Sequence, residues 1–256
     1  MPDAQVMVRD SPHYRRESFV SGLAANGFSV TFSPIQNPTV DDLLLVWCRY
    51  GETHAEACRF ERAGARVIVA ENGYLGRDWR GDLWYALAHN WHAGHGRINV
   101  GGPERARAMF DEPEAWAPGK GPAVILGQRG IGSPPVAAPH GWAQRVMREL
   151  YSARIDHVYR EHPGAKHDTV GLLAQLHGSR FAVAWSSGAL LKSILHGTPV
   201  YHGLPNWIGA DAAAPYSLPL PAPFLGDRWA MLQRLSWAQW RLSEIASGDA
   251  FNHLLR

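Results

Sequence analysis

The sequence has little cysteine: two residues in 256, Cys48 inside an apolar run and Cys58 on a predicted helix. Two thiols so placed build neither a disulfide framework nor a metal quartet, and a reducing cytoplasmic setting is expected. No apolar run approaches the roughly 18 residues that mark a membrane span, and the first residues lack the apolar core of a secretory leader, so neither is expected. Neither sign of charge is in excess. Lys and Arg number 25 against 23 Asp and Glu, a net charge of +2, which does not require a nucleic-acid partner and does not exclude one. An Asp-x-Asp pair of the kind that holds Mg or Mn is absent, so cofactor-free, metal-independent chemistry is expected. No repeat of fixed period occurs.

What the chain does have is an alternation of apolar runs and helical patterns, with 11 Trp and 13 His. In the first half AQVMVRD, FSVTFS, LLLVWC and ARVIVAENG read as strands, separated by YRRESFVSGLAANG and a helix over about 52–64. Short apolar runs alternating with helices imply crossover units and a parallel sheet. The pattern breaks between Asp78 and Gly102 in an aromatic, His-rich stretch. EPEAWAPGKGP then has the Pro, Gly and polar composition of a linker, placing a boundary near Trp116 to Gly121. The alternation restarts with AVILGQRGIGS, a helix over about 141–151, DHVYREHPG, TVGLLAQLHG, RFAVAWSSG, ALLKSILHG and PVYHG. From Asp227 onward the apolar residues follow a helical period and should fold back on a domain. The expected fold class is α/β: two Rossmann-like halves with parallel sheets facing a cleft, 1–118 on the acceptor side and 119–256 binding the donor, with a C-terminal helical segment.

The most informative stretch is AVAWSSGALLKSILHGTPV, residues 182–200. It reads as a buried strand, a turn of small hydroxyl residues, a helix and a second strand. Such a turn offers unpaired backbone N–H groups and the positive end of a helix dipole, which suits a phosphate. DHVYREHPG ends its strand with Arg160, Glu161, His162 and Pro163, adding cation and donor groups at a neighbouring strand end. The order of R-x-HP, strand, SS-G turn, helix and G-x-PV resembles the donor-binding half of GT-B glycosyltransferases, particularly the capsular-polysaccharide and Kdo-transferase-like branch and small phage-encoded relatives. The likeness covers roughly Ala123 to Val200. It implies a nucleotide-sugar donor, expected to be UDP-linked, and transfer to a hydroxyl. Many such enzymes carry a Glu on the helix to hold the donor ribose; the corresponding residue here is Lys192, implying a different grip or an unusual donor.

The donor-binding candidates are Gln128, Arg129, Arg160, His162, Ser186, Ser187, Gly188 and Lys192. Each has a plainer alternative: a tight glycine turn at 127–132, an Arg160–Glu161 surface pair, an ordinary N-cap at the serines, a solvent-facing Lys192. His89, His92 and His95 are spaced by three, which on a helix suggests a metal site, but Gly94 and Gly96 interrupt the helix and no HExxH-like carboxylate accompanies them. His92 and His95 are therefore candidates for acceptor binding, or core and surface histidines. A base for the acceptor hydroxyl belongs at a strand end of the first half. Asp10 and Glu71 stand there, as bases or as caps of the following turns. The resemblance to small phage-encoded transferases implies a hydroxymethylated pyrimidine in DNA as the acceptor, with the Trp79 to Trp91 stretch as a stacking platform, and the capsule-like branch implies a surface glycan. The alternative from another class is a non-catalytic module that binds nucleotide sugar or nucleic acid.

Overall fold

A computed structural model describes residues 1–162, 164 and 171–256; Pro163 and the Thr169 and Val170 start of the predicted TVGLLAQLHG helix lie outside them. The chain divides into two compact units, Met1–Gly102 with Ser236–Arg256, and Pro103–Leu235. The division after Gly102 precedes the Pro- and Gly-rich stretch around 116–121, and the chain's end belongs to the first unit rather than the second.

Unit 1 begins with β1 (Asp3–Met7), α1 (Arg16–Ala25), β2 (Ser29–Thr31), β3 (Leu43–Trp47), α2 (Gly51–Arg62), β4 (Arg66–Asn72) and β5 (Trp84–His89). Its sheet runs β2-β1-β3-β4-β5 with one further edge strand. The pairs β1/β2, β1/β3 and β3/β4 are parallel. In β3 the run LLLVW is apolar on both faces because both are covered. Leu43 and Leu45 meet Phe19 and Leu23 of α1 on one side, while Leu44 and Val46 meet Ala57 and Phe60 of α2 on the other. Residues of β4 follow the same alternation, Ile68 and Ala70 toward α1, Val67 and Val69 toward α2, so the period of two puts Glu71 on the α2 side.

The His-rich stretch is not a helix. WYALAH, six consecutive buried residues, forms β5, antiparallel to β4 with Glu71 opposite Ala86. A fully buried run has no polar alternation to mark it as a strand, and its antiparallel sense departs from the all-parallel expectation.

Unit 2 contains α3 (Glu104–Met109), β6 (Ala123–Leu126), α4 (Trp142–Ser152), β7 (His157–Arg160), α5 (Leu172–Leu176), β8 (Ala182–Ala184), α6 (Gly188–Leu195), β9 (Val200–His202), β10 (Ala214–Pro215) and most of α7 (Trp229–Ala238). Its sheet is parallel throughout, in the order β10-β9-β8-β6-β7. The order reverses between β6 and β8, and in doubly wound sheets ligands bind outside the carboxyl ends at that switch point.

The terminal segment, expected as one helical stretch, is interrupted. Gln239–Arg241 forms β11, antiparallel on β5, before α8 (Leu242–Ser247) and α9 (Asp249–Leu254). β11 covers the open edge of β5. Ile245 of α8 and Phe251 of α9 then close the core over α1. The approach of α8 to α1 depends on Gly22, where an added Cβ would stand 1.9 Å from the Ile245 carbonyl oxygen and 2.9 Å from the Phe251 ring.

Candidate functional site

In unit 2 the predicted donor residues sit at the carboxyl ends of β6, β7 and β8. Gln128 follows β6 and bridges the switch point: its Oε1 accepts the Ser186 N–H at 2.8 Å, and its Nε2 donates to the Ser186 hydroxyl at 3.3 Å. Ser187 is the N-cap of α6, its Oγ accepting the Ala189 N–H at 3.2 Å. The turn is therefore partly self-satisfied. Ser186 and Ala189 have used their N–H groups, and among the described residues those of Ser187 and Gly188 are the ones left to meet an anion at the start of α6. Lys192 lies on the same helix, half-buried.

Arg160 ends β7, held by a 2.7 Å bond from its guanidinium to Gln175 Oε1. β6 and β7 meet closely at Gly127, whose N–H donates to the Arg160 carbonyl at 2.8 Å and where a Cβ would stand 2.4 Å from the Tyr159 hydroxyl. Arg129 is exposed. Partial burial, with the Arg129 charge second, holds the His162 imidazole below its ordinary value of 6.5. Its Nδ1 accepts the Gly164 N–H at 2.9 Å, so the neutral ring carries its proton on Nε2 and presents a donor.

In unit 1 the two predicted carboxylates differ sharply. Asp10, beyond β1, is exposed and paired with Arg16 at 2.6 Å, the Arg16 guanidinium also lying 4.2 Å from the Phe32 ring centroid. Glu71, in β4, sits under the loop that follows β5. Its Oε1 accepts the Ala93 N–H at 2.6 Å, and the Tyr74 hydroxyl and Gly94 N–H lie against the same carboxylate. Burial pushes its pKa up from 4.5 to about 7, outweighing the opposing contributions of Ala93, Tyr74 and Gly94. A carboxylate titrating near neutrality is suited to general base work. The loop takes its shape from Asn90, Ala93 and Gly94, all at positive φ.

The histidines serve this loop. His92 is 4% exposed and its Nδ1 accepts the Arg49 N–H at 3.1 Å, so it supports the loop from within. His95 stands edge-on to Trp91, centroids 6.2 Å apart. His89 is the last residue of β5, so the three histidines do not share a helix. Among the described residues no group of three or more His, Cys, Asp or Glu is placed to hold a metal ion.

Three participants carry no motif in the sequence: Arg49, Tyr74 and Gln175. Arg49 is 2% exposed. It donates to both Glu61 carboxylate oxygens at 2.6 and 2.7 Å and to the Asn90 carbonyl at 2.7 Å, and stacks 4.0 Å over Trp91. The legible signal was position: Arg49 directly follows the apolar run of β3, and Tyr74 comes three residues after Glu71. Gln175 had none. The Trp79 to Trp91 stretch is largely consumed by packing, with Trp84 2% exposed and edge-on to Trp79 at 5.3 Å.

No protein-family model matches the chain, and no curated protein matches its sequence. Among solved structures it is similar to the KpsC beta Kdo 2,7 transferase of Thermosulfurimonas dismutans, at 12% identity and a TM-score of 0.58 over 99% of each chain. It is also similar to the KpsC beta Kdo 2,4 transferase of the same organism, at 12% identity and a TM-score of 0.56 over 98% of each. At this identity the likeness establishes the fold: the α/β, parallel-sheet architecture of these glycosyltransferases.

Proposed function

We propose that the chain is a nucleotide-sugar-dependent glycosyltransferase that moves a sugar, of the Kdo type named for its structural neighbours, onto a hydroxyl of a glycan. The observation that carries this is the Gln128–Ser186 bridge at the switch point of a fully parallel sheet, flanked by Arg129, Arg160 and His162. These groups, with the Ser187 and Gly188 N–H groups and Lys192, bind the donor phosphate and stabilise the charge that develops on it as the glycosidic bond breaks. They do so without a divalent ion, since cationic side chains and a helix end supply the positive charge. A UDP-linked donor is the first to try.

Glu71 is the general base. It takes the proton of the acceptor hydroxyl as that oxygen bonds to the anomeric carbon and the donor phosphate departs. Asp10 suits the role less, because its carboxylate is engaged by Arg16. A glycan acceptor is favoured over a base in DNA: Trp84 is buried and Trp91 is covered by Arg49, which leaves little of the aromatic stretch for stacking. The test is calorimetric titration with UDP-sugars and nucleotide-activated Kdo, followed by mass spectrometry of glycan and hydroxymethylpyrimidine-DNA acceptors. Saturable donor binding with a glycan product supports the proposal. Donor binding without any product supports the non-catalytic module, and no donor binding refutes both.

A further inference from the structure

Unit 1 contains a cavity of about 550 Å³ at the opposite end of β4 from Glu71, between the start of β4, the base of the 89–97 loop and the chain segment after α9. Its polar lining is dominated by Arg66, Arg97, Arg256, His89, His253 and Asn99, and no Asp or Glu side chain lines it. None of the three guanidiniums has a carboxylate partner among the described residues.

The wall is held in place before any ligand arrives. Asn99 accepts from Arg97 at 3.0 Å and donates to the His253 and Leu254 carbonyls at 3.3 and 3.1 Å. His253 is bonded through Nε2 to the Asn99 carbonyl at 2.6 Å and stacked on Trp237 at 4.2 Å. The His89 and Arg97 backbones exchange both N–H···O bonds, at 3.0 and 3.2 Å. His89 is 5% exposed, and its Nε2 has no hydrogen-bond partner among the described residues. Burial, with Arg97 and then Arg66 adding to it against the nearby Leu254 carbonyl, pushes its pKa down to about 4. The charged side chains of the lining are all basic.

We propose that this pocket is a second ligand site of the protein, taking a small molecule that bears a phosphate group. Three planar guanidinium forks on one lining suit the several acceptor oxygens and double charge of a phosphate monoester better than a single carboxylate. The cavity is far larger than phosphate itself, and its remaining lining of Ala65, Val67, Leu254 and Leu255 offers an apolar seat for the organic part. The loop closed by His89 and Arg97 also carries Ala93, so this pocket and the Glu71 carboxylate share one backbone segment.

The experiment follows the His89 and His253 imidazole resonances by ¹H–¹⁵N NMR at pH 7 and fixed ionic strength, titrating inorganic phosphate, pyrophosphate or acetate against chloride. Saturable shifts with both phosphates, not with acetate, are expected. Arg66→Gln, an exposed substitution that leaves packing untouched, should weaken phosphate binding about 10-fold or more. Arg97→Lys should weaken it, and Arg148→Gln, on an exposed face of α4, should not. Shifts that fail to saturate, that acetate reproduces, or that persist unchanged in both pocket variants would overturn the proposal.

Discussion

Replacing Glu71 by Gln should change how stability depends on pH, in a direction fixed by the burial of its carboxyl. The folded protein raises the Glu71 pKa from 4.5 to about 7. Between those values the folded state keeps a proton that the unfolded chain has released, so unfolding releases it. Stability contributed by the protonated carboxyl is therefore fully present below about pH 4.5 and is lost as pH rises through about 7. The whole effect is about 3 kcal/mol at 1.36 kcal/mol per pKa unit. Glu71→Gln keeps an oxygen for the Ala93 N–H and cannot ionise. Urea denaturation of both proteins at half-unit steps from pH 4 to 8.5 isolates the contribution, since every other titrating group is common to the pair. The variant should gain about 3 kcal/mol on the wild type across this range. Parallel profiles would mean that Glu71 titrates as an ordinary exposed carboxylate, removing the physical basis for its choice as the base.

His89 should show the opposite sign: its folded pKa of about 4 lies below the ordinary 6.5, so its contribution is present above pH 6.5 and is lost on acidification toward 4, a loss of about 3 kcal/mol that His89→Gln abolishes in the same melts. Glu61→Gln should destabilise unit 1 by roughly 3 kcal/mol, because it weakens the pairing of the buried Arg49 guanidinium; a change under about 0.5 kcal/mol would contradict it. Gly22→Ala should destabilise despite the better helix propensity of Ala, by about 1–3 kcal/mol, since the new methyl meets the Ile245 carbonyl oxygen. Transfer measured in excess EDTA should equal that in magnesium, and a metal-reversible loss would overturn the metal-free account of the donor site.

The parallel cores were legible because their strands are apolar on both faces and their helices are amphipathic, as LLLVW and the α4 stripe of Trp142, Val146 and Leu150 show. The turn at 186–188 was legible for a related reason: Ser187 and Gly188 are residues that a strand-to-helix turn selects, and the structure puts them at a switch point. Two elements were not. β5 is buried along its whole length, so neither a period of two nor one of 3.6 distinguishes it, and the histidines at its end imitate helical spacing. β11 is three residues within a helical period, and its strand character comes from pairing with β5, a partner more than 140 positions away in the sequence. The engagement of Ser186 by Gln128, and of Arg160 by Gln175, is likewise a property of distant segments meeting. Residue type marked the candidate groups, while tertiary contact decided which of their donors remain available.

Donor binding at the β6–β8 switch point is tested most directly by calorimetric titration of the wild-type protein and Arg160→Gln with the nucleotide sugar that the donor panel selects. One saturable site is expected, weakened in the variant by about 10-fold or more through loss of a charge-assisted contact to phosphate, with thermal stability little changed. Equal affinity in the two proteins would contradict the placement of the donor at the β6–β8 switch point.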